Sequence, residues 1–370
     1  MEVITLKQNI RTRIHNLTAA QKKRMAGWFL FFFLGGSLYL ALTCGYLYHD
    51  KAGEDTYWDD ALAGDPELTK AAEDCGADAV RVTAGTYVEN LSSMSFKENS
   101  FRLTFNLWFL WEGEPDLDMI HNFRIYKGTI HKIELLADEE KDGMIYQQAR
   151  VDATISKDFW TVRFPLDSHQ LRFYIEPLYP ADRVLLAADT KNSMVIPNIS
   201  VTGFDLTRHA VSVQTVRYES LRSDPTVTVP YTQELCTSLE LNRVGFGLYF
   251  KCFIALFGTV IWMFITLYIC TYHSVDPLRL IPAALFGAVT NIMVGANMLP
   301  DSMQTGLLEF VNIGGVLVIL ACTVSVVKVN RLRATEGEES AFLFGRTMFY
   351  TLLLLTITGN LLYPAVSYRF

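Results

Sequence analysis

Metal sites and disulfide scaffolds have little support in this sequence. The chain has six cysteines among 370 residues, and none falls in a metal-ligand spacing. Four of them lie inside or at the end of apolar runs, where a buried thiol is the expected state: Cys44, Cys252, Cys270 and Cys322. Cys75 and Cys236 lie in the acidic middle of the chain and can pair only if that part is exported. We therefore expect no metal and no cofactor.

Catalytic and nucleic-acid-binding patterns are also missing. Ser168 and His169 adjoin Asp167, but neighbours on a tight turn cannot form a nucleophile relay, and no G-x-S-x-G elbow is present. His121 and His131 are isolated. The long polar stretch, residues 49–243, carries 32 acidic against 19 basic side chains, so it offers no basic face. We expect neither an enzyme nor a nucleic-acid partner.

Long apolar runs are the dominant feature of the chain. Half of its residues are hydrophobic, which is typical of a polytopic membrane protein. Spanning a bilayer takes about 20 apolar residues. Five stretches qualify: 26–48, 244–272, 280–299, 302–327 and 347–366. The sequence therefore predicts a multi-pass protein of the cell membrane, in contact with membrane lipids.

Two basic clusters predict the same orientation. Residues 1–25 carry six basic side chains and one acidic one, and a second cluster lies between the fourth and fifth spans: Lys328, Arg331, Arg333 and Arg346. By the positive-inside rule both clusters are cytoplasmic, and residues 49–243 are periplasmic or extracellular. The first span is either a signal peptide or an anchor. Its 23-residue charge-free run exceeds a signal-peptide core and no small-x-small site follows, so we interpret it as an uncleaved anchor.

The part between the first two spans changes character along its length. Residues 49–79 are rich in Asp, Glu, Ala and Gly and predict an acidic linker with room for a short helix. From residue 80 onward, apolar and polar side chains alternate in several segments, such as 101–109, 149–160 and 211–218, and turn signals separate these segments. Many short strands joined by turns predict a β-sandwich over residues 80–243.

A sandwich followed by four helices, with Phe164-Pro165-Leu166-Asp167 near its middle, resembles the pentameric ligand-gated ion channels, or Cys-loop receptors. In that family an aromatic-Pro-apolar-Asp turn ends the loop that touches the membrane domain. Arg243 matches the arginine at the junction with the membrane domain, and Pro300 matches the end of the pore helix. The resemblance covers residue 80 to the end.

The resemblance implies an all-β outer domain, residues 80–243, and an all-α four-helix transmembrane pore bundle, residues 244–370. One additional transmembrane helix precedes them and has no counterpart in the family plan. The positions of the family's eponymous cysteines are Lys157 and Leu171, as in prokaryotic members. His169 replaces a glutamine, and Ala255 replaces a proline of the first bundle helix. The implied assembly is a homopentamer.

The helix at 277–299 aligns with the family's pore helix. A helix that faces a central pore presents a stripe at spacings of three and four residues. Starting from Arg279, this stripe is Arg279, Ala283, Phe286, Thr290, Met293 and Asn297. Phe286 would form a hydrophobic constriction that gates by dewetting. Asn291 lies off the stripe, and we expect it to form a hydrogen bond between helices.

Arg279 leaves two interpretations open. It either snorkels to the cytoplasmic interface or faces the lumen, where five guanidinium groups would favour anions. Asp276 lies one turn below and would cancel part of that effect by pairing with it. The acidic outer part would instead concentrate cations near the entrance. The permeant ion stays unassigned.

The resemblance also implies a ligand site between neighbouring outer domains, caged by aromatic side chains. The candidates by position are Trp108, Glu176, Tyr179, Tyr218 and Tyr231. A cationic amine would suit aromatic faces beside a carboxylate. The leading hypothesis is a ligand-gated channel with an unidentified small-molecule agonist. The alternative is a non-conducting membrane sensor or scaffold with the same fold.

Overall fold

A computed structural model describes residues 17–199, 201, 203–218, 230–273, 275–299 and 304–368. The chain divides into two compact units. The helical unit comprises Met1–Lys51, Thr161–Asp167 and Phe246–Phe370, and the sheet unit comprises Ala52–Trp160 and Ser168–Gly245. The first described helix, α1 (Ala19–Ala63), contributes residues to both.

The other α-helices of the described residues are α2 (Pro66–Cys75), α3 (Gly247–Tyr272), α4 (Ile281–Ala296), α5 (Leu307–Glu336) and α6 (Glu338–Ser367). Among the described residues, four helical stretches are long and apolar enough to cross a membrane: Ala19–Cys75, Gly247–Tyr272, Leu307–Glu336 and Glu338–Ser367. They correspond to four of the five predicted spans. The remaining span is shorter in the structure, because α4 has 16 residues and follows a 3-10 turn at Leu278–Leu280.

In the helical unit, α3, α4, α5 and α6 share one apolar core. The added helix α1 packs against α5 and α6. The Tyr39 hydroxyl donates to the Phe310 carbonyl at 2.7 Å, and the Thr43 and Tyr363 hydroxyls are 3.0 Å apart. Gly36 lies so close to Leu355 that a β-carbon would come within 2.7 Å of it. Small residues at helix contacts and hydrogen bonds between helices are usual features of apolar helices that associate in lipid.

Among the described residues, the sheet unit contains ten strands. They are β1 (Val80–Ser95), β2 (Ser100–Glu112), β3 (Phe123–Ile125), β4 (Gly128–Lys141), β5 (Met144–Ser156), β6 (Ser168–Pro177), β7 (Val184–Ala188), β8 (Met194–Val195), β9 (Phe204–Val216) and β10 (Thr232–Arg243). One sheet has the order β4-β5-β2-β1-β7, with β8 also on β1, and the other has the order β3-β6-β10-β9.

Both sheets contribute to one apolar core. Along β5, buried residues alternate with more exposed ones, as expected of a strand with one covered face. The Phe105 ring of β2 and the Phe173 ring of β6 are 4.8 Å apart and join the two sheets. The coarse prediction, β-sheets together with long apolar helices, is confirmed.

The predicted acidic linker is mostly helical. It holds the end of α1 and the whole of α2, which begins with Asp65 accepting the Glu67 backbone N–H at 2.8 Å. Side chains of β9 satisfy carbonyl groups at the end of α1, where no helical donor is left. Gln214 donates to the Ala61 carbonyl at 2.7 Å, and Ser212 donates to the Leu62 carbonyl at 2.9 Å. The end of α1 therefore lies on the polar face of the second sheet.

Cys75 and Cys236 are not bonded to each other. Both thiols are free; Cys75 is exposed at the end of α2, and Cys236 is buried on β10. The pairing that the sequence leaves open does not form in this structure.

Candidate functional site

The six predicted pore residues share one exposed side of α4 and the turns that flank it. Phe286 is 76% exposed and Met293 is 62% exposed. The remaining four are also exposed: Arg279, Ala283, Thr290 and Asn297. Ala284 and Ala288 lie on the opposite side and are only 2% and 1% exposed. The helix is thus attached along one narrow edge, and the predicted stripe points away from it.

The attached edge of α4 is held by a close approach and by hydrogen bonds. A β-carbon on Gly287 would come within 2.4 Å of the Thr259 hydroxyl of α3. Asn291 donates to the Asn312 side chain of α5 at 2.8 Å and accepts the Leu256 backbone N–H at 3.3 Å. This is an interhelical hydrogen bond of the kind that the sequence predicts. It fixes the rotation of α4 about its own axis and so determines which residues are exposed.

The turn before α4 is attached to α5. Asp276 accepts the Asn330 side-chain amide at 2.8 Å and the Leu278 backbone N–H at 3.2 Å. Asn330 also accepts a hydrogen bond from Arg333 at 3.1 Å. Asp276 therefore uses its carboxylate on α5 and on its own turn. Within the described part of the chain, Arg279 has no ion pair.

The loop with the Phe-Pro-Leu-Asp sequence, Thr161–Asp167, belongs to the helical unit. Phe164 and Asp167 are each 2% exposed, and the Phe164–Pro165 peptide bond is cis. The Val162 carbonyl accepts the Leu307 backbone N–H at 2.7 Å, at the start of α5. A β-carbon on Gly306 would come within 2.1 Å of that carbonyl, so this position requires glycine. The loop is thereby fixed to the beginning of α5.

A buried ion pair attaches the same loop to the added helix. Arg163 is 2% exposed, and its Nε donates to the Asp50 carboxylate of α1 at 3.0 Å. Its Nη1 donates to the Ser367 carbonyl, the last residue of α6, at 3.1 Å. Next to Asp50, Lys51 donates to the Tyr368 carbonyl at 2.5 Å. Three parts of the chain therefore meet at Arg163.

Sequence reasoning missed both members of this pair. The available signal was Arg163 itself, a charge inside the apolar run Val162–Leu166, because a buried charge requires a partner. Its partner is 113 positions away in the sequence and had no local signal.

Arg243, the predicted junction residue, lies in an aromatic cluster of the sheet unit. Its guanidinium is 4.0 Å from the centre of the Phe204 ring and 5.8 Å from that of Phe96. His169 joins the cluster, with its ring 5.0 Å from Phe96. Cation–π contact allows this arginine to be 8% exposed among apolar rings. Pro300, the other predicted end of the pore helix, lies outside the described residues.

Within one chain, the five predicted ligand residues do not lie in a single cluster. Two of them are brought together, since the Tyr218 hydroxyl donates to the Glu176 carboxylate. The Tyr179 hydroxyl donates to the Leu117 carbonyl at 2.7 Å. The Trp108 indole donates to Asp189 at 3.3 Å. A guanidinium lies over each of the other two tyrosine rings, Arg183 over Tyr179 at 4.5 Å and Arg217 over Tyr231 at 5.2 Å.

A pair of buried carboxyl groups lies at Glu176. Glu176 on β6 is 0% exposed and Glu234 on the neighbouring β10 is 4% exposed. Arg124, on the adjacent strand β3, donates from Nε to Glu176 at 2.5 Å. One oxygen of Glu234 is buried with no hydrogen-bond partner among the described residues. Burial, and secondarily the neighbouring Glu176, raise the pKa of Glu234 to about 8.

Arg124 and Glu234 were also missed. Arg124 lies in Phe123-Arg124-Ile125-Tyr126, whose alternating apolar and polar residues are a strand signal. Alternation places Arg124 on the polar face, but it does not indicate which carboxylate lies opposite.

We expect the stability of the sheet unit to fall as the pH rises from about 5 to 8. The folded pKa of Glu234 lies above its ordinary value of 4.5, so its stabilising contribution is complete below that value and is lost as the pH rises through the folded pKa. The expected loss is on the order of 4 kcal/mol, because stability changes by about 1.4 kcal/mol per pH unit over about three units. Melting temperatures of wild type and Glu234→Gln across this range test it. The amide cannot ionise, so the variant's profile should be flatter, whereas the exposed control Glu134→Gln should retain the wild-type slope.

Neither a scan of protein-family models nor a search of curated proteins finds a match for this chain. The geometry of the residues described above therefore carries the functional assignment.

Proposed function

We propose that the chain is one subunit of a homopentameric ligand-gated ion channel. In this proposal the two sheets form a ligand-binding sandwich outside the cell membrane, and α3 to α6 form the pore bundle, with α4 lining the pore. The N-terminus is cytoplasmic and residues 49–243 are periplasmic or extracellular. The observation that carries the proposal is the exposed stripe of α4, which lies opposite the edge that attaches this helix to its neighbours.

The composition of the stripe favours a pore over a lipid-facing surface. A helix face against lipid avoids arginine and asparagine, because polar groups in the hydrocarbon region are costly unless they face a cavity or a partner. Arg279, Thr290 and Asn297 lie on this face together with Phe286 and Met293. Rings of small, polar and bulky apolar side chains are the elements from which filters and hydrophobic gates are built. Five copies of α4 around an axis would turn the stripe into such rings.

Accessibility of the stripe to a water-soluble reagent tests the proposal. Thr290→Cys, prepared with exposed Cys75 changed to Ser, should react with a charged thiol reagent and lose ion flux in liposomes. Leu354→Cys on α6 is the matched control, since Leu354 is 56% exposed but lies on a helix that would face lipid. We expect no block in the control and a native mass of five chains. Flux that is blocked equally in both variants, or a complex that is not a pentamer, would contradict the proposal.

Charge selectivity should reveal the position of Arg279. If its guanidinium lies in the lumen, Arg279→Gln removes five positive charges from the pore and shifts the reversal potential under a salt gradient toward cation preference. If it snorkels to the interface, the reversal potential stays unchanged. Arg331→Gln, in the cytoplasmic basic cluster, is a matched control for general charge effects. An unchanged value for Arg279→Gln would exclude the lumen-facing interpretation.

The second candidate is a non-conducting sensor or scaffold with the same fold. The buried Arg163–Asp50 pair supports it, because it joins the Phe-Pro loop to a helix that the family plan lacks. Such an attachment would suit a membrane domain that transmits a bound state without opening. The flux experiment separates the two candidates, since a scaffold would form the pentamer and carry no current.

A further inference from the structure

The aromatic faces near Glu176 are already covered by cations of the protein itself. The Arg124 guanidinium lies 5.5 Å from the centre of the Tyr218 ring. The Lys127 ammonium lies 5.6 Å from the centre of the Tyr126 ring. The Tyr126 and Tyr218 rings are 6.2 Å apart, so the four side chains form one contiguous patch. We call Arg124, Tyr126, Lys127 and Tyr218 the tyrosine–cation patch.

The carboxylate beneath the patch is occupied as well. One oxygen of Glu176 accepts from the Arg124 Nε at 2.5 Å, and the other accepts from the Tyr218 hydroxyl. Glu176 has no exposed surface. An organic ammonium ligand would have to displace Arg124 from both the ring and the carboxylate. The site therefore holds an internal guanidinium where a cationic agonist would otherwise bind.

The outer sides of the two cations remain accessible. The Arg124 side chain is 55% exposed, and Lys127 is exposed. A guanidinium has five N–H donors in a fixed fork, and Glu176 holds its Nε side. An arginine held in this way is suited to bidentate hydrogen bonding with a carboxylate ligand. Two cations over adjacent tyrosines also form a locally basic spot in a domain that is otherwise strongly acidic.

We propose that the tyrosine–cation patch binds a small carboxylate ligand, with Arg124 as its main partner and Lys127 as a second charge. Glu176 and Tyr218 position the guanidinium and do not bind the ligand. This inference deepens the proposed function by naming the ligand class, and it rests on that function for the consequence that binding controls the pore.

Binding of succinate to the purified full chain tests the inference without a current measurement. Calorimetric titration at constant ionic strength should show binding to wild type, weakened about tenfold or more in Arg124→Gln, because a charge-assisted hydrogen bond is lost. Arg102→Gln is the matched control, since Arg102 is another half-exposed arginine paired with a carboxylate, Asp152. It should bind succinate as wild type does. Choline should not bind wild type.

A second variant tests the inference if Arg124→Gln does not fold. Lys127→Gln removes an exposed charge and leaves the buried carboxyl pair intact, and succinate binding should weaken several-fold. Succinate that binds all variants equally, or choline that binds wild type in its place, overturns the inference. Both of these binding measurements can be made whether or not the protein conducts ions. If only the channel proposal fails, ion flux is absent while succinate still binds wild type and binds Arg124→Gln more weakly. If only this inference fails, ion flux is retained while succinate does not bind wild type or binds all variants equally.

Discussion

Replacing Asp50 with alanine is expected to destabilise the helical unit by roughly 3–5 kcal/mol, the usual cost of removing one member of a buried ion pair. Arg163 is 2% exposed and Asp50 14% exposed, so water would not easily replace the lost carboxylate. The buried guanidinium would lose the counter-charge that it has at 3.0 Å. The melting temperature of the purified protein in detergent measures the effect.

A double variant identifies the origin of that loss. Arg163→Met together with Asp50→Ala removes both charges, so the protein should recover much of the stability lost in the single variant, because no unpaired ion remains. Asp60→Ala is the control on the same helix; Asp60 is exposed, and its substitution should change the melting temperature little. A single variant as stable as this control would show that the pair contributes nothing.

The same pair should influence channel activity if the proposed function holds. Asp50→Asn keeps the shape of the side chain but removes the charge that pairs with Arg163 in the loop at Thr161–Asp167. We expect the agonist concentration for half-maximal flux to change, because that loop is the element that resembles the family's coupling loop. A change in stability with unaltered agonist response would assign Asp50 a purely structural role.

Phe286→Ala is expected to have the largest effect on flux. Phe286 is 76% exposed at the middle of the stripe, and five such rings would narrow the pore and exclude water. Alanine would widen the constriction and remove its apolar barrier, so resting flux in liposomes should rise at least several-fold. The melting temperature should change little, since an exposed side chain contributes little packing to its own subunit.

Val289→Ala is the matched control for this variant. Val289 is 55% exposed on α4 but lies off the stripe. Its substitution should leave resting flux near that of wild type. A pore that stays closed in Phe286→Ala under every ligand and pH would remove the support for conduction and leave the scaffold function. Equal flux from both variants would show that a different face of α4 lines the pathway.

Much of the architecture could be predicted from local patterns. Apolar runs of about 20 residues mark spans because a bilayer has a fixed thickness. Alternation marks strands such as Met144–Ser156 because successive side chains point to opposite faces. The spacing of the stripe on α4 follows from the helical repeat, and the structure leaves all six of its residues exposed.

The helical character of residues 49–63 was harder to foresee. Asp and Ala are the commonest residues there, and the composition of residues 49–79 predicted an acidic linker with room for a short helix. In the structure this segment continues α1, and its end binds Gln214 and Ser212 of the second sheet. Tertiary contacts supplied the stabilisation that helix propensity alone does not provide.

The ligand candidates show the limit of position-based reasoning. Tyr218 donates a hydrogen bond to Glu176, whereas Tyr179 and Tyr231 each have a different arginine over the ring. A tyrosine's place in the sequence does not reveal which cation lies on its face. That partner decides whether the ring is free for a cationic ligand.

The sequence alone therefore determined four of the long apolar helices, the strand-rich part of the chain and the spacing of the stripe on α4, because each depends on a run or a short repeat that sterics and the bilayer impose. Only the tertiary structure decided that Arg163 pairs with Asp50, that Glu234 is buried beside Glu176, and that Arg124 pairs with the Glu176 carboxylate. These contacts join residues far apart in the chain. The packing of distant segments determines which residues pair, and local sequence patterns do not contain this information.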